Sequence, residues 1–181
     1  MLNEIYKDIC FFKSDINEHL PLISAMSIDK ETVIVTGETG QFRINKAVIL
    51  GMPKNVLSVS HDMLYKHDNE YINTLKLAKS LKVNWNHVIE DTRNLKIRYA
   101  DIAFVDSVHT YEYLLDELRG LNKFVGKLIV IHDTDVYGEI GEDRKNPALK
   151  KSISDFLEET NWKQIAHYSF NYGLTILSRV D

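Results

Sequence analysis

Two short apolar runs, Ile102–Val105 and Leu128–Ile131, each stop abruptly at ionisable residues, and no other feature constrains the fold as strongly. The first runs into Asp106-Ser107-Val108-His109, the second into His132-Asp133-Thr134-Asp135. Between them Tyr113, Leu114, Leu118 and Leu121 recur with helical spacing. Continuous apolar runs of this length mark strands covered by helices on both faces, the habit of parallel sheets. In open α/β sheets the ligand crevice lies beyond the carboxyl ends of the strands. Two strands that end in Asp and His therefore direct chemistry to one edge of one sheet.

The rest of the chain fits this frame. Thr32-Val33-Ile34-Val35 reads as the first strand and runs into Thr36-Gly37-Glu38-Thr39-Gly40. Ile44, Ala47, Val48 and Leu50 then continue with helical spacing. A strand, a glycine turn and a helix in succession suit a nucleotide-like cofactor, because glycine lets the backbone approach a ligand. Asn55–Ser60 is the second strand, followed by His61-Asp62, and a helix is expected over Asn69–Leu81. The third strand is read as Trp85–Asp91, ending in carboxylates. After the fifth strand, Tyr137–Pro147 is a polar loop long enough to form a lid. Leu149–Glu159 is amphipathic, and Lys163–Ser169 and Leu174–Ser178 form a closing hairpin around Asn171-Tyr172-Gly173. Near the start, residues 1 to 13 form a short helical arm, and Asp15-Ile16-Asn17-Glu18 has the spacing of a capping box. The expected architecture is a Rossmann-like three-layer α/β sandwich with a mainly parallel seven-stranded sheet and one antiparallel member.

Composition narrows the function classes. At 181 residues the chain fits one domain over 1–181, and 44% hydrophobic with 27% charged residues is the balance of a globular protein. A net charge of −4 without a basic stripe argues against a general nucleic-acid binder. Cys10 is alone, so no intramolecular disulfide forms, which suits a reducing compartment. The first residues lack the basic start and apolar centre of a signal peptide. No apolar run approaches the roughly 20 residues that cross a bilayer. The expectation is a cytoplasmic protein without membrane or nucleic-acid partners; a homo-oligomer stays open.

The chemistry-bearing residues are Asp106, His109, His132 and Asp133, brought together if the fourth and fifth strands are neighbours. His109 and His132 are candidate general bases, with Asp133 beside them. Asp106 and Asp133 are candidate ligands for a hard cation such as Mg²⁺. Adjacent His132-Asp133 does not reproduce the two-His, one-carboxylate iron triad, and a single Cys without paired His argues against zinc.

Four segments carry a resemblance: residues 14–21 (Ser-Asp-Ile-Asn-Glu-His-Leu-Pro), 104–111 (Phe-Val-Asp-Ser-Val-His-Thr-Tyr), 131–134 (Ile-His-Asp-Thr) and 171–177 (Asn-Tyr-Gly-Leu-Thr-Ile-Leu). Together they resemble the small class I S-adenosylmethionine-dependent methyltransferases related to cephalosporin-hydroxylase-like and sugar O-methyltransferases. The resemblance implies S-adenosylmethionine as cofactor and a small polar acceptor such as a sugar. It implies a cofactor over Gly37, Glu38 and Gly40, with Ser60 and Asp62 near the ribose, Asp91 near the adenine, and Asp106 at the fourth strand end. The chain departs from the pattern where such proteins carry acids: Val35 or Thr36 ends the first strand and Ser60 the second. Each lost charge-assisted hydrogen bond costs roughly 1.5–3 kcal/mol. A non-catalytic binding or assembly protein on the same scaffold is therefore the alternative. A dinucleotide enzyme is opposed by the lack of a full Gly-x-Gly-x-x-Gly turn.

Overall fold

A computed structural model describes residues 2–37, 41–61 and 69–180. Its seven-stranded sheet has the order β3-β2-β1-β4-β5-β7-β6, formed by β1 (Thr32–Thr36), β2 (Asn55–Ser60), β3 (Asn84–Ile89), β4 (Ala100–Val105), β5 (Val125–His132), β6 (Trp162–Tyr168) and β7 (Leu174–Arg179). The first five strands run parallel, and β7 lies antiparallel between β5 and β6. The fold class is therefore as the strand–helix alternation predicts.

All six residues of β4 are buried, because helices cover both faces of the sheet centre. Val33 and Val35 point into one core with α2 (Leu20–Met26), α3 (Arg43–Leu50) and α4 (Asn69–Leu81), where Leu20, Ile23, Val48 and Leu77 meet them. The arm α1 (Leu2–Phe11) packs on α3 and adds Ile9. Ile34 points the other way, into a core with α5 (Tyr111–Leu121) and α6 (Leu149–Glu159) built on Leu114, Leu118, Ile153 and Phe156. Burying each such side chain contributes about 1.5–3 kcal/mol. The two-residue alternation of β1 thus sorts its side chains between two layers.

Several boundaries shift from the sequence reading, and three of the differences have a visible cause. β5 begins at Val125, three residues before the apolar run: Val125 is itself buried, but Gly126 and the exposed Lys127, which pairs with Asp101 at 2.6 Å, interrupt the apolar pattern. β3 stops at Ile89, and Asp91 instead caps the short 3-10 turn Thr92–Asn94, its carboxylate accepting from Arg93 N at 3.0 Å. No capping box forms at Asp15: α2 starts at Leu20 with Pro21 in its first turn. The Asn17 side chain is used locally, accepting from Ser14 N at 3.0 Å and donating to the Cys10 carbonyl at 2.9 Å.

Candidate active site

Parallel pairing of β4 with β5 sets Val105 beside Ile131, so the residues that follow emerge side by side. Asp106 leaves β4 with its N–H still bonded to the Thr36 carbonyl at 3.0 Å. His132 is the last residue of β5, fixed from the other side by pairing with Leu174 of β7. Asp133 follows with φ 62, a left-handed conformation that costs a non-glycine residue about 1 kcal/mol or more. That turn points its carboxylate back into the cluster instead of along the strand.

The four candidate residues converge. His132 Nδ1 lies 3.3 Å from both Asp106 Oδ1 and Asp133 Oδ1. Its Nε2 faces two backbone carbonyls, Asp15 at 3.2 Å and Asn171 at 3.3 Å. Carbonyls and carboxylates only accept, so both ring nitrogens must carry protons and His132 is an imidazolium. Burial opposes that charge, but Asp106 and Asp133 overcome it and push the pKa up to about 9. With 2% of its surface exposed, His132 ties the N-terminal segment and the β6–β7 turn to the centre of the site. Both its nitrogens are thus engaged.

His109 approaches from the loop after β4. Its Nε2 lies 3.0 Å from Asp133 Oδ2 and 3.5 Å from Asp106 Oδ1. Its Nδ1 lies 3.1 Å from Glu142 Oε2, and its ring stacks on Tyr137 at 4.7 Å between centroids. Here too burial disfavours the charge and the two aspartates outweigh it, raising the pKa to about 10. Asp106 feels the same pairing in reverse: burial would raise its pKa, but the two histidines hold it well below the usual carboxylate range. Glu142 N donates to the His109 carbonyl at 3.1 Å, so the Tyr137–Pro147 loop lies closed on the cluster.

Among the described residues, two buried polar atoms in this cluster, His109 Nε2 and Asp133 Oδ1, have ion-pair neighbours but no well-aligned hydrogen-bond partner. One donor atom each from Asp106, His109 and Asp133 lies within 4.8 Å of the other two. Two carboxylates and an imidazole so spaced suit a divalent cation.

The cofactor candidates are distributed differently. Gly37 ends β1 with φ 82, and a Cβ there would lie 2.2 Å from the Asp106 carbonyl oxygen, so only glycine lets the two loops meet. Ser60 is fully buried, and its hydroxyl is taken by His87 Nε2 at 2.8 Å. Asp91 stands at the β3 edge with Arg93 at 2.6 Å, and the guanidinium lies over the Tyr113 ring at 4.5 Å. Arg93 holds the Asp91 carboxylate down at about 2. Glu38, Gly40 and Asp62 lie outside the described residues. Gly37 and Asp106 are thus brought together; Ser60 and Asp91 are not part of that contact.

Two acidic residues escaped the sequence reading. Glu142 sits in a polar loop without periodicity, so nothing marked it. Glu117 had a signal, since it shares the helical face of Tyr113, Leu114 and Leu121. It is fully buried and accepts a hydrogen bond from Ser107 Oγ. Burial raises its pKa, against the Ser107, Thr92 and Thr36 hydroxyls.

No family model matches the chain, and no curated protein matches it in sequence. Solved structures do match its shape. An O-methyltransferase from Bacillus cereus, in complex with SAH, aligns over 99% of this chain and 90% of its own at TM-score 0.64 and 14% identity. The O-methyltransferase TomG from Streptomyces achromogenes, in complex with SAM, aligns over 99% and 89% at 0.66 and 12%. Magnesium protoporphyrin IX methyltransferase from Synechocystis PCC 6803, with bound SAM, aligns over 98% and 91% at 0.66 and 10%. With the strand order and the antiparallel β7, this near-complete overlap shows that the chain has the Rossmann-like fold of the class I S-adenosylmethionine-dependent methyltransferases.

Proposed function

We propose that this protein is an S-adenosylmethionine-dependent methyltransferase that methylates a hydroxyl of a small polar acceptor such as a sugar. The observation that carries the reading is the convergence of Asp106, His109 and Asp133 at the carboxyl ends of β4 and β5, against Gly37 at the end of β1. In this fold that edge faces the ligand crevice. Gly37 and the β4 loop hold the methionine end of the cofactor, and Asp91, with Arg93 and Tyr113, walls its adenine side. Asp106 and Asp133 would hold a divalent cation. Bound there, such an ion supplies charge stabilisation to an acceptor oxygen as it loses its proton.

This chain's residues then do three things. Asp133 Oδ1, which has no well-aligned hydrogen-bond donor among the described residues, accepts the proton of the acceptor hydroxyl. S-adenosylmethionine, held there, would supply the methyl group to that oxygen and would leave as S-adenosylhomocysteine. His132 contributes a fixed positive charge beside both aspartates, and Tyr137 and Glu142 close the loop over the centre to exclude water. Removing a positioned base costs about 10²–10⁴ in rate, so Asp133→Asn should lose that much turnover.

Calorimetry with S-adenosylmethionine and S-adenosylhomocysteine tests the reading first. Micromolar binding of either ligand is expected. No heat at millimolar ligand overturns it and leaves the non-catalytic alternative, which the missing acids at Val35, Thr36 and Ser60 favour.

A further inference from the structure

We infer that His109 is the third protein ligand of the cation site, oriented by Glu142, and that the site therefore selects an imidazole-binding transition ion, such as Mn²⁺, Fe²⁺ or Co²⁺, over Mg²⁺. The inference rests on the reading that a cation sits between Asp106 and Asp133, and adds the donor that decides which one.

Geometry comes first. Neighbouring ligands of an octahedral ion, each about 2.1 Å from it, lie about 3 Å apart. His109 Nε2 is 3.0 Å from Asp133 Oδ2 and 3.5 Å from Asp106 Oδ1, so a small ion fits among the three with little movement. An ordinary ion pair would instead align the Nε2–H with one carboxylate. Here Nε2 is buried and, among the described residues, finds no acceptor in line with an N–H, although two carboxylates stand within reach. Asp133, only 5% exposed, presents Oδ2 to that same nitrogen.

The far side of the ring supports the assignment independently. Histidines that bind metals through one nitrogen donate the other N–H to a carboxylate, carbonyl or water, which fixes the tautomer and raises ligand basicity. His109 Nδ1 has that partner in Glu142 Oε2 at 3.1 Å, and Tyr137 stacked on the ring fixes its plane. Selectivity follows from donor chemistry. Mg²⁺ favours oxygen ligands and keeps its waters, whereas imidazole suits later first-row ions, whose affinity rises along the divalent series. His132 is a poor rival as ligand, because its Nε2 and Nδ1 both already donate.

The test uses the full chain stripped of metal by chelation, with Mn²⁺ as the probe. Electron paramagnetic resonance follows free Mn²⁺ during titration, and electron spin echo spectroscopy reads nitrogen coupled to the bound ion. Wild type should bind Mn²⁺ with a ¹⁴N coupling, and millimolar Mg²⁺ should not displace it. His109→Gln should lose the coupling and at least tenfold in Mn²⁺ affinity while binding Mg²⁺ as before. Glu142→Gln, on the loop surface where folding is not at risk, should weaken Mn²⁺ by about 10–100-fold. Unchanged Mn²⁺ affinity in both variants, or bound Mn²⁺ without nitrogen coupling, overturns the His109 assignment and leaves the carboxylate site standing. Failure of wild type to bind either ion overturns the cation site itself.

Discussion

Asp106→Asn is the sharpest probe of the charge pattern at the strand ends. The substitution keeps the shape of the side chain and leaves the backbone bond from residue 106 to Thr36 intact, but it removes the charge that faces His132 and His109. His132 cannot turn to water, since its other nitrogen is held by the Asp15 and Asn171 carbonyls. Raising its pKa from the ordinary 6.5 to about 9, at about 1.4 kcal/mol for each pKa unit, is equivalent to about 3 kcal/mol of stability. That agrees with the roughly 3–5 kcal/mol lost when one partner of a buried ion pair is removed. Asp133, 3.3 Å from the same ring, keeps the expected loss near the lower figure. The pH dependence has a definite sign. A histidine whose folded pKa is raised stabilises fully below about 6.5, and that contribution fades as pH rises through the folded value. For His132 and His109 the fading runs from about 6.5 to about 10. Urea unfolding in EDTA should therefore show Asp106→Asn less stable by about 3 kcal/mol at pH 6, with the gap closing towards pH 10. A gap below about 1 kcal/mol at pH 6, or one that does not change with pH, refutes the account.

Three further outcomes follow from other parts of the fold. Glu117→Gln should unfold at higher urea than wild type at pH 7.5 and match it near pH 4, because burial raises the Glu117 pKa and the buried acid loses stability as pH climbs past its ordinary 4.5; a lower midpoint at both values contradicts this. Gly37→Ala should cost more than about 2 kcal/mol by the same assay, since its Cβ would collide with the Asp106 carbonyl at φ 82; wild-type stability would show that the β1 and β4 loops separate freely. Hydrogen exchange in residues 137–147 should slow when S-adenosylmethionine and Mn²⁺ are both added, as they hold shut the loop that carries Glu142; equal protection with and without them argues against a lid.

The sequence by itself determined the layers and the direction of the sheet. Ile102–Val105 and Leu128–Ile131 are apolar on both sides of each strand, and a strand of that kind is stable only between two helical layers. Asn171-Tyr172-Gly173 announced the final turn, and all three residues indeed adopt positive φ, at 52, 69 and 94. The convergence of Asp106, His109, His132 and Asp133 was likewise legible, since neighbouring parallel strands lie about 4.8 Å apart and end together. What each residue does there was not. His132 looked like a base, but Asp15 and Asn171, 117 and 39 residues away in sequence, occupy its second nitrogen. For Ser60, read as a ribose contact, the sequence did not show that β3 brings His87 within hydrogen-bond reach of its hydroxyl. Glu142 reaches His109 only because the loop folds back over the β4 end. A strand's periodicity is a local property, written in every second residue; the protonation and partners of a side chain depend on groups distant in sequence, which only the tertiary structure brings within 3 to 4 Å.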